Sequence, residues 1–210
     1  MIFRKTNTFS IFDQFVDNYN DKTILDFGGN RGNLIASSEG KIRQESYTCL
    51  DVSKEALNFL HNDFPLVNSI HWNKYHSYYN PTGNIKEPFP KIKYYDIIFA
   101  NSVFTHHTLE EMLYCIDNLS RYTNRIAFTY IDPNNNQFLE KFKEKYYDLS
   151  FEGGDVSYTT DKNGILWSAF DTEYLKKHLS YHKIEVGTTN WFNYIDIQVR
   201  LPVIASLVGY

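Results

Sequence analysis

Apolar residues along the chain recur at two spacings, one typical of amphipathic helices and one typical of buried strands. Helical spacing between Phe12 and Tyr19 predicts a first helix that ends near Asn20. Continuous apolar runs then predict buried strands, because such runs are short and bounded by polar or turn residues. The predicted strands cover residues 23–27, 47–51, 67–72, 96–100, 125–131, 184–188 and 194–201.

Helical patterns fill most of the intervals between these strands. The clearest begins at Thr108, where Glu111 stands at the capping-box spacing, and a charged helical pattern around residues 138–142 follows the fifth strand. A turn signal at Asn163-Gly164 between β-prone runs predicts an inserted hairpin. We therefore expect an α/β fold, in which a doubly wound, mostly parallel seven-stranded sheet carries helices on both faces and a small inserted lid.

Charge and composition exclude several classes of function. The chain of 210 residues has a net charge of −4 and no basic run, which disfavours nucleic-acid binding. Its start lacks the pattern of a secretory signal, and no apolar run has the length of a membrane span, so we expect a cytoplasmic protein without a membrane partner. The histidines lack metal-ligand spacing, so no metal is expected.

A glycine-rich loop and a carboxylate follow the first two predicted strands. Glycines at 28, 29 and 32 lack Cβ atoms, which lets a ligand approach the backbone. Asp51 lies 23 residues past Gly28, the separation at which an acidic side chain reaches both hydroxyls of a ribose. Asn30 and Asn33 occupy glycine positions of the GxGxxG pattern, which disfavours NAD or FAD. The two features together predict a nucleoside cofactor.

Three stretches resemble class I S-adenosylmethionine-dependent methyltransferases, a Rossmann-like family. They are ILDFGGNRG at 24–32, YTCLDVS at 47–53, which contains Asp51, and YDIIFANSVFTHH at 95–107. The family's loop usually reads GxGxG after an acidic residue, and here Asn30 replaces the middle glycine. The order of predicted elements agrees over most of the chain. The resemblance implies S-adenosylmethionine as cofactor and S-adenosylhomocysteine as product.

The same resemblance assigns parts of the cofactor to residues after strands one, two, three and four. The glycine loop and the acid before it would hold the methionine moiety, and Asp51 would bind the ribose. Residues directly after strand four would face the sulfonium, and adenine would lie between Val52 and the end of strand three. The implied contacts are Asp26, Gly28, Gly29, Asn30, Gly32, Asp51, Val52, Trp72, Asn73, Asn101, Ser102 and Val103.

Candidate catalytic groups lie at the ends of strands four and five. A sulfonium methyl group is already activated, so a base is required only for an acceptor that arrives protonated. His106 is the preferred base over His107, and a packing histidine at the helix entry is the alternative. Asp132 is the second candidate, although a residue before Pro133 can also serve only the turn.

Aromatic residues make up 17% of the chain and predict the wall of an acceptor pocket. Tyr130, Trp167, Phe170 and Trp191 are the expected substrate contacts, with core packing as the alternative role. Such a wall suits an aromatic ring or an amine.

A single domain is expected over residues 1–210. Its expected parts are an N-terminal helix (1–20), a cofactor-binding half (21–132), a lid (133–170), and a C-terminal helix with the last two strands (171–210). The predicted activity is methyl transfer to oxygen or nitrogen of a small molecule such as a secondary metabolite, by a monomer or homodimer. A non-catalytic methyltransferase-like scaffold and a nucleoside-cofactor oxidoreductase stay open as alternatives.

Overall fold

A computed structural model of the chain describes residues 8–134, 151–188 and 193–199. Within these ranges, helices and strands alternate over most of the chain, and a strand hairpin follows the fifth strand. The helices are α1 (Thr8–Phe12), α2 (Asn33–Ser37), α3 (Lys54–Asp63), α4 (Leu109–Leu119) and α5 (Thr172–His178). The strands are β1 (Ile24–Phe27), β2 (Tyr47–Asp51), β3 (Asn68–His71), β4 (Ile97–Ala100), β5 (Arg125–Tyr130), β6 (Val156–Thr160), β7 (Leu166–Phe170), β8 (Lys183–Thr188) and β9 (Asn193–Gln198).

Seven of the strands form one sheet in the order β3-β2-β1-β4-β5-β9-β8. Strands β1 to β5 pair in parallel, and β9 runs antiparallel to both of its neighbours. The predicted mostly parallel seven-stranded sheet is therefore confirmed. The chain leaves β1 toward β2 on one side and later returns to β4 on the other, so the strand order reverses between β1 and β4. Open α/β sheets bind ligands at such a reversal, outside the carboxyl ends of the strands.

Each face of the sheet carries its own hydrophobic core, because neighbouring residues of a strand point to opposite faces. Phe99 packs with α1, α2 and α3 on one face, where its ring centre lies 4.6 Å from that of Phe12. Ile98 packs with α4 and α5 on the other face. Helices cover both sides, which confirms the doubly wound arrangement.

The first helix ends earlier than its apolar pattern predicts. It ends at Phe12, and a 3₁₀ turn follows over residues 13–15. Tertiary hydrogen bonds hold this segment, because the Arg125 guanidinium donates to the Phe15 carbonyl and the Tyr19 hydroxyl donates to the Phe12 carbonyl at 3.2 Å. Phe15 and Tyr19 are still buried. The pattern thus reports burial correctly, but the predicted helical end near Asn20 is wrong.

Strands β6 and β7 form the predicted hairpin as a separate two-stranded sheet. Its turn contains Gly164 with a φ of +75°, a conformation that glycine adopts without strain. Two side-chain bonds join β7 to the turn after β4: His106 Nδ1 lies 2.9 Å from the Leu166 carbonyl, and Ser168 Oγ donates to the His107 carbonyl at 2.6 Å. A lid function for this hairpin stays a prediction.

Several predicted features lie outside the described residues: the helical pattern around 138–142, Trp191 and residues 200 and 201 of the last predicted strand. Among the residues that are described, no helix is both long and apolar enough to cross a membrane.

Candidate active site

A cavity of about 500 Å³ opens at the carboxyl ends of β1, β2 and β4. This volume lies within the range of roughly 300 to 1,000 Å³ that is usual for small-molecule sites. Its walls come from the loops after these strands and from the segment after β3. The lining residues that the argument below uses are Asp26, Gly28, Gly29, Asn30, Asp51, Val52, Trp72, Lys74, His76, Tyr79, Asn101, Ser102, Val103, His106, His107, Glu110 and Glu111.

The loop after β1 is packed so closely that side chains are excluded from two of its positions. Gly28 has a φ of +69°, and a Cβ atom there would lie 2.5 Å from Val103 Cγ2. A Cβ atom on Gly29 would lie 2.6 Å from Asp26 Cγ. Backbone atoms of the loop therefore form this wall of the cavity. The Gly28 N–H donates to the Leu50 carbonyl at 2.7 Å, which fixes the loop beside β2.

Asp51 presents a buried carboxylate to the cavity. Its Oδ2 accepts the Asn30 N–H at 2.8 Å and its Oδ1 accepts the Ser53 N–H at 2.7 Å. Burial raises the pKa of Asp51, and the backbone hydrogen bonds oppose that rise. Among the described residues, no Lys or Arg forms an ion pair with it. Each carboxylate oxygen has further acceptor capacity, so Asp51 can receive two O–H groups of a ligand.

Asp26 lies behind the loop and is almost fully buried. The Tyr47 hydroxyl donates a short hydrogen bond to Asp26 Oδ2. Burial raises the pKa of Asp26 to about 7, the Tyr47 hydrogen bond opposes this, and the charge of Asp51 adds to it. Burial also raises the pKa of the nearby Cys49 thiol, which keeps it protonated and unreactive at neutral pH.

The turn after β4 places Asn101, Ser102 and Val103 on the cavity wall. Ser102 has a φ of +57°, which is uncommon for a residue with a side chain. Its N–H donates to Thr129 Oγ1 at 2.7 Å, and this bond to β5 holds the turn. The left-handed turn brings Val103 against Gly28. Such strain often marks a functional site, because the surrounding structure must maintain it.

Trp72 and Val52 line the far side of the cavity. The Trp72 indole N–H donates to the Pro88 carbonyl at 2.9 Å, and its ring packs 6.2 Å from that of Phe27 between ring centres. Two predicted contacts lie apart from the cavity lining. Asn73 bonds to its own segment through its backbone carbonyl and its side chain. Gly32 packs below the loop, where an added Cβ would lie 2.5 Å from Leu60 Cδ1.

Two adjacent histidines follow the β4 turn and line the cavity. His106 Nδ1 lies 2.9 Å from the Leu166 carbonyl, and His107 Nδ1 lies 2.9 Å from the Val103 carbonyl. A carbonyl can only accept, so each Nδ1 carries the proton and each neutral ring keeps a lone pair at Nε2. Burial lowers the pKa of both rings. Both are therefore neutral near pH 7, the state that a general base requires.

The other predicted catalytic and substrate residues that the structure describes are not part of the cavity lining. Asp132 Oδ2 accepts the Thr172 hydroxyl at 2.5 Å, and its Oδ1 accepts the Asn134 N–H at 2.8 Å. Tyr130 and Phe170 are fully buried in the core. Trp167 is not part of the lining, but its ring meets that of His106 edge to face at 4.5 Å between centres.

The segment after β3 contributes a further wall of the cavity, which includes Tyr75 and Tyr79. Lys74 and His76 both line the cavity, although His76 belongs to no recognisable motif. Asn80 organises the segment by donating to the Lys74 carbonyl at 3.0 Å. Tyr75, Tyr78 and Tyr79 are the sequence signal for this wall, because clustered aromatic residues predict an acceptor pocket. In the described part of the chain, no group of three or more His, Cys, Asp or Glu side chains has a metal-binding arrangement.

Solved methyltransferases have the same fold. An S-adenosylmethionine-dependent methyltransferase from Clostridium acetobutylicum is 13% identical with a TM-score of 0.59, covering 94% of this chain and 91% of its own. Magnesium protoporphyrin IX methyltransferase from Synechocystis, solved with bound S-adenosylmethionine, is 12% identical with a TM-score of 0.54, covering 91% and 79%. The 1,6-didemethyltoxoflavin-N1-methyltransferase from Burkholderia thailandensis, solved with S-adenosylhomocysteine, is 10% identical with a TM-score of 0.58, covering 92% and 76%.

No protein-family profile matches the sequence. The structural likeness, together with the strand order, establishes the class I methyltransferase fold for this chain.

Proposed function

We propose that the protein is an S-adenosylmethionine-dependent methyltransferase that acts on an oxygen or nitrogen atom of a small molecule. The observation that carries the proposal is the Asp51 carboxylate, which lies on the cavity beside the glycine loop and binds that loop through the Asn30 N–H. Two backbone hydrogen bonds leave further acceptor capacity on this buried carboxylate, so additional hydrogen bonds from a ligand would stabilise it. The two hydroxyls of a ribose would supply them.

The residues of the cavity fit the rest of this cofactor. The loop from Gly28 to Asn30 offers backbone groups, because its geometry excludes side chains at two positions. Val52 and Trp72 would provide apolar contacts for adenine, and Asn101 to Val103 lie on the same cavity, after β4, where the resemblance implies the sulfonium. The solved relatives of the same fold that contain S-adenosylmethionine or S-adenosylhomocysteine support this assignment by analogy.

When bound, the cofactor would supply a methyl group on a positively charged sulfur, and the electron pair of the broken C–S bond would remain on that sulfur. The protein's part is to hold the acceptor in line and to exclude water. His106 is proposed as the general base, because its Nε2 lone pair is available and its ring is neutral at pH 7. Asp132 is proposed to position the turn after β5 through its bonds to Thr172 and Asn134.

Calorimetric titration of S-adenosylmethionine, S-adenosylhomocysteine and NAD into the full chain tests the cofactor. We expect the two sulfur ligands to bind and NAD not to bind. Asp51→Asn should weaken binding about 10- to 100-fold, since hydrogen bonds to charged groups contribute about 1.5 to 3 kcal/mol. Asp21→Asn is the matched control, because Asp21 is an exposed carboxylate just before β1, at the opposite end of that strand. Folded protein that binds neither sulfur ligand would contradict the proposal.

A further inference from the structure

Three histidines, His76, His106 and His107, line one part of the cavity and come from two different segments. A row of rings joins the segments. The ring centre of Tyr79 lies 4.8 Å from that of His76 and 6.4 Å from that of His106. Beyond His106, the row continues to Trp167 of the hairpin. We call this set of three imidazoles the histidine cluster.

The hydrogen bonds of the cluster fix where each ring carries its proton. His76 Nδ1 accepts the N–H groups of Tyr78 at 3.2 Å and Tyr79 at 3.1 Å, so its proton must sit on Nε2. His106 and His107 have the opposite tautomer, because each Nδ1 donates to a carbonyl. The cluster therefore offers one N–H donor, from His76, and two lone pairs, from His106 and His107. None of the three Nε2 atoms has a hydrogen-bond partner among the described residues.

The cluster is also uncharged at neutral pH. Burial and the charges that His106 and His107 would carry together lower the pKa of His76 to about 4, and Glu111 opposes the shift. The charged side chains on the same cavity are one cation, Lys74, and four carboxyl groups, Asp26, Asp51, Glu110 and Glu111. Lys74 Nζ donates to the Ile85 carbonyl, and Glu111 accepts both the N–H and the hydroxyl of Thr108. One cation against four carboxyl groups gives no net attraction for an anionic acceptor.

We propose that the histidine cluster is a subsite for a neutral phenol-type hydroxyl acceptor, with His76 Nε2–H donating to an acceptor oxygen and a lone pair of His106 or His107 receiving the hydroxyl proton. This proposal rests on the proposed methyltransferase function and names its class of acceptor. A hydroxyl both donates and accepts, which matches the cluster. A carboxylate only accepts, so it would face two lone pairs without a proton between them.

In the reaction, the hydroxyl oxygen would bond to the methyl carbon as the carbon–sulfur bond breaks. The hydroxyl proton would move to Nε2 of His106 or His107, and the positive charge would pass from sulfur to that imidazole. Atoms and charge balance with no further reactant. The assignment therefore favours oxygen over nitrogen as the methylated atom.

The test is long-range ¹H–¹⁵N NMR of the histidine rings in the full ¹⁵N-labelled chain, with catechol, benzoate and benzylammonium as probes. We expect the Nε2–H tautomer for His76 and the Nδ1–H tautomer for His106 and His107 in the free protein. Catechol should shift all three rings and bind at least about fivefold more tightly than benzoate, the effect of about one hydrogen bond. An Nδ1–H tautomer at His76, or benzoate or benzylammonium binding as tightly as catechol, would overturn the proposal.

Substitutions assign the signals and test each contact. Asn places an amide where the imidazole has Nδ1, so His76→Asn can keep the bonds to the backbone while removing the donor at Nε2. We expect His76→Asn to weaken catechol at least about fivefold. His61→Asn is the matched control, since His61 lies on α3 outside the cavity lining, and it should leave catechol binding unchanged. Equal catechol affinity in both variants would remove His76 from the subsite.

Cofactor titration separates this inference from the proposed function. Binding of S-adenosylhomocysteine without catechol binding would overturn the subsite alone. Binding of catechol to the cluster without S-adenosylhomocysteine binding would overturn the methyltransferase proposal and leave the hydroxyl subsite standing.

Discussion

The Asn30 backbone nitrogen lies 2.8 Å from Asp51 Oδ2, so the glycine loop after β1 is hydrogen-bonded directly to the carboxylate that ends β2. The two features that suggest a nucleoside cofactor in the sequence are thus one connected unit in the structure. The loop is also held from the other side, where Val103 of the β4 turn packs on Gly28. Three strand ends therefore fix the shape of this wall before any ligand binds.

Asp26→Asn should make stability less dependent on pH. Burial raises the pKa of Asp26 from 3.8 to about 7, so the folded state binds the proton more tightly than the unfolded state. The free energy of unfolding should therefore fall as pH rises from about 4 to 7. At pH 8 the variant should be more stable than the wild type, by a value on the order of 4 kcal/mol, and at pH 4 nearly equal.

Urea unfolding of both proteins between pH 4 and 8 measures this difference. Asp21→Asn, which changes an exposed carboxylate, should show no such trend relative to the wild type. If the free energies of unfolding of Asp26→Asn and the wild type differed by a constant amount between pH 4 and 8, the pKa of Asp26 would not be raised by folding.

Gly28→Ala should destabilise the fold through a specific clash with Val103. Gly28 and Gly40 both have positive φ, so alanine at either position carries a backbone cost of about 1 to 2 kcal/mol. Only Gly28 has a close neighbour: its added Cβ would lie 2.5 Å from Val103 Cγ2, while Gly40 has nothing within 4 Å. We expect Gly28→Ala to cost about 1 to 3 kcal/mol more than Gly40→Ala in urea unfolding.

A double-mutant cycle checks the cause. Val103→Ala removes both Cγ atoms and leaves Val103 Cβ at 3.4 Å as the nearest of its side-chain atoms to the added Cβ. The double variant should therefore lose less stability than the sum of the single variants. Simple additivity would show that Val103 is not the source of the cost.

Arg125→Met should be strongly destabilising. Arg125 pairs through Nε and Nη2 with Asp196, whose side chain has no exposed surface, and removal of the cation leaves that charge buried. The expected loss is about 3 kcal/mol. Lys176→Met, which removes the cation of the exposed pair with Glu173, should cost at most about 1 kcal/mol. Thermal unfolding compares the stability of the two variants. Equal losses of stability would show that burial of Asp196 does not make its ion pair more important than the exposed one.

Trp167→Leu should raise the pKa of His106 toward its ordinary value of 6.5. Burial is the main cause of the lowered pKa, and the Trp167 ring is a direct neighbour of the imidazole. Less burial favours the protonated form. An NMR titration of the ring measures the shift. Tyr158→Phe is a control on the same hairpin, because the Tyr158 hydroxyl accepts the Leu109 N–H and the Tyr158 ring meets that of Phe170 edge to face. A shift in both variants would indicate loosening of the whole hairpin.

The sequence predicts the elements whose signals are local. Strand β2 begins and ends where its apolar run does, and Thr108 forms the expected capping box with Glu111. The Asn163-Gly164 turn closes the predicted hairpin. These features depend on residues close together in the chain, so a pattern can reveal them.

Features without a periodic pattern could not be predicted in the same way. The segment after β3 has no periodic apolar pattern, and side-chain bonds such as that from Asn80 to the Lys74 carbonyl maintain its shape. The tautomer of His76 depends on two backbone N–H groups of that segment. Tyr130 and Phe170 carry the same aromatic signal as a pocket wall, but the structure buries both in the core. Composition does not reveal whether an aromatic ring lies in the core or on the cavity wall.

Hydrogen bonds join Leu166 and Ser168 of the hairpin to the turn after β4, so changes in the hairpin can reach one side of the cavity. The proposed donor side of the cavity depends largely on backbone groups and on one carboxylate, which tolerate little change. The opposite side consists of side chains from the segment after β3 and from the turn that the hairpin holds. On the proposed function, we therefore expect mutations in the hairpin to alter acceptor preference and to leave binding of the methyl donor unchanged.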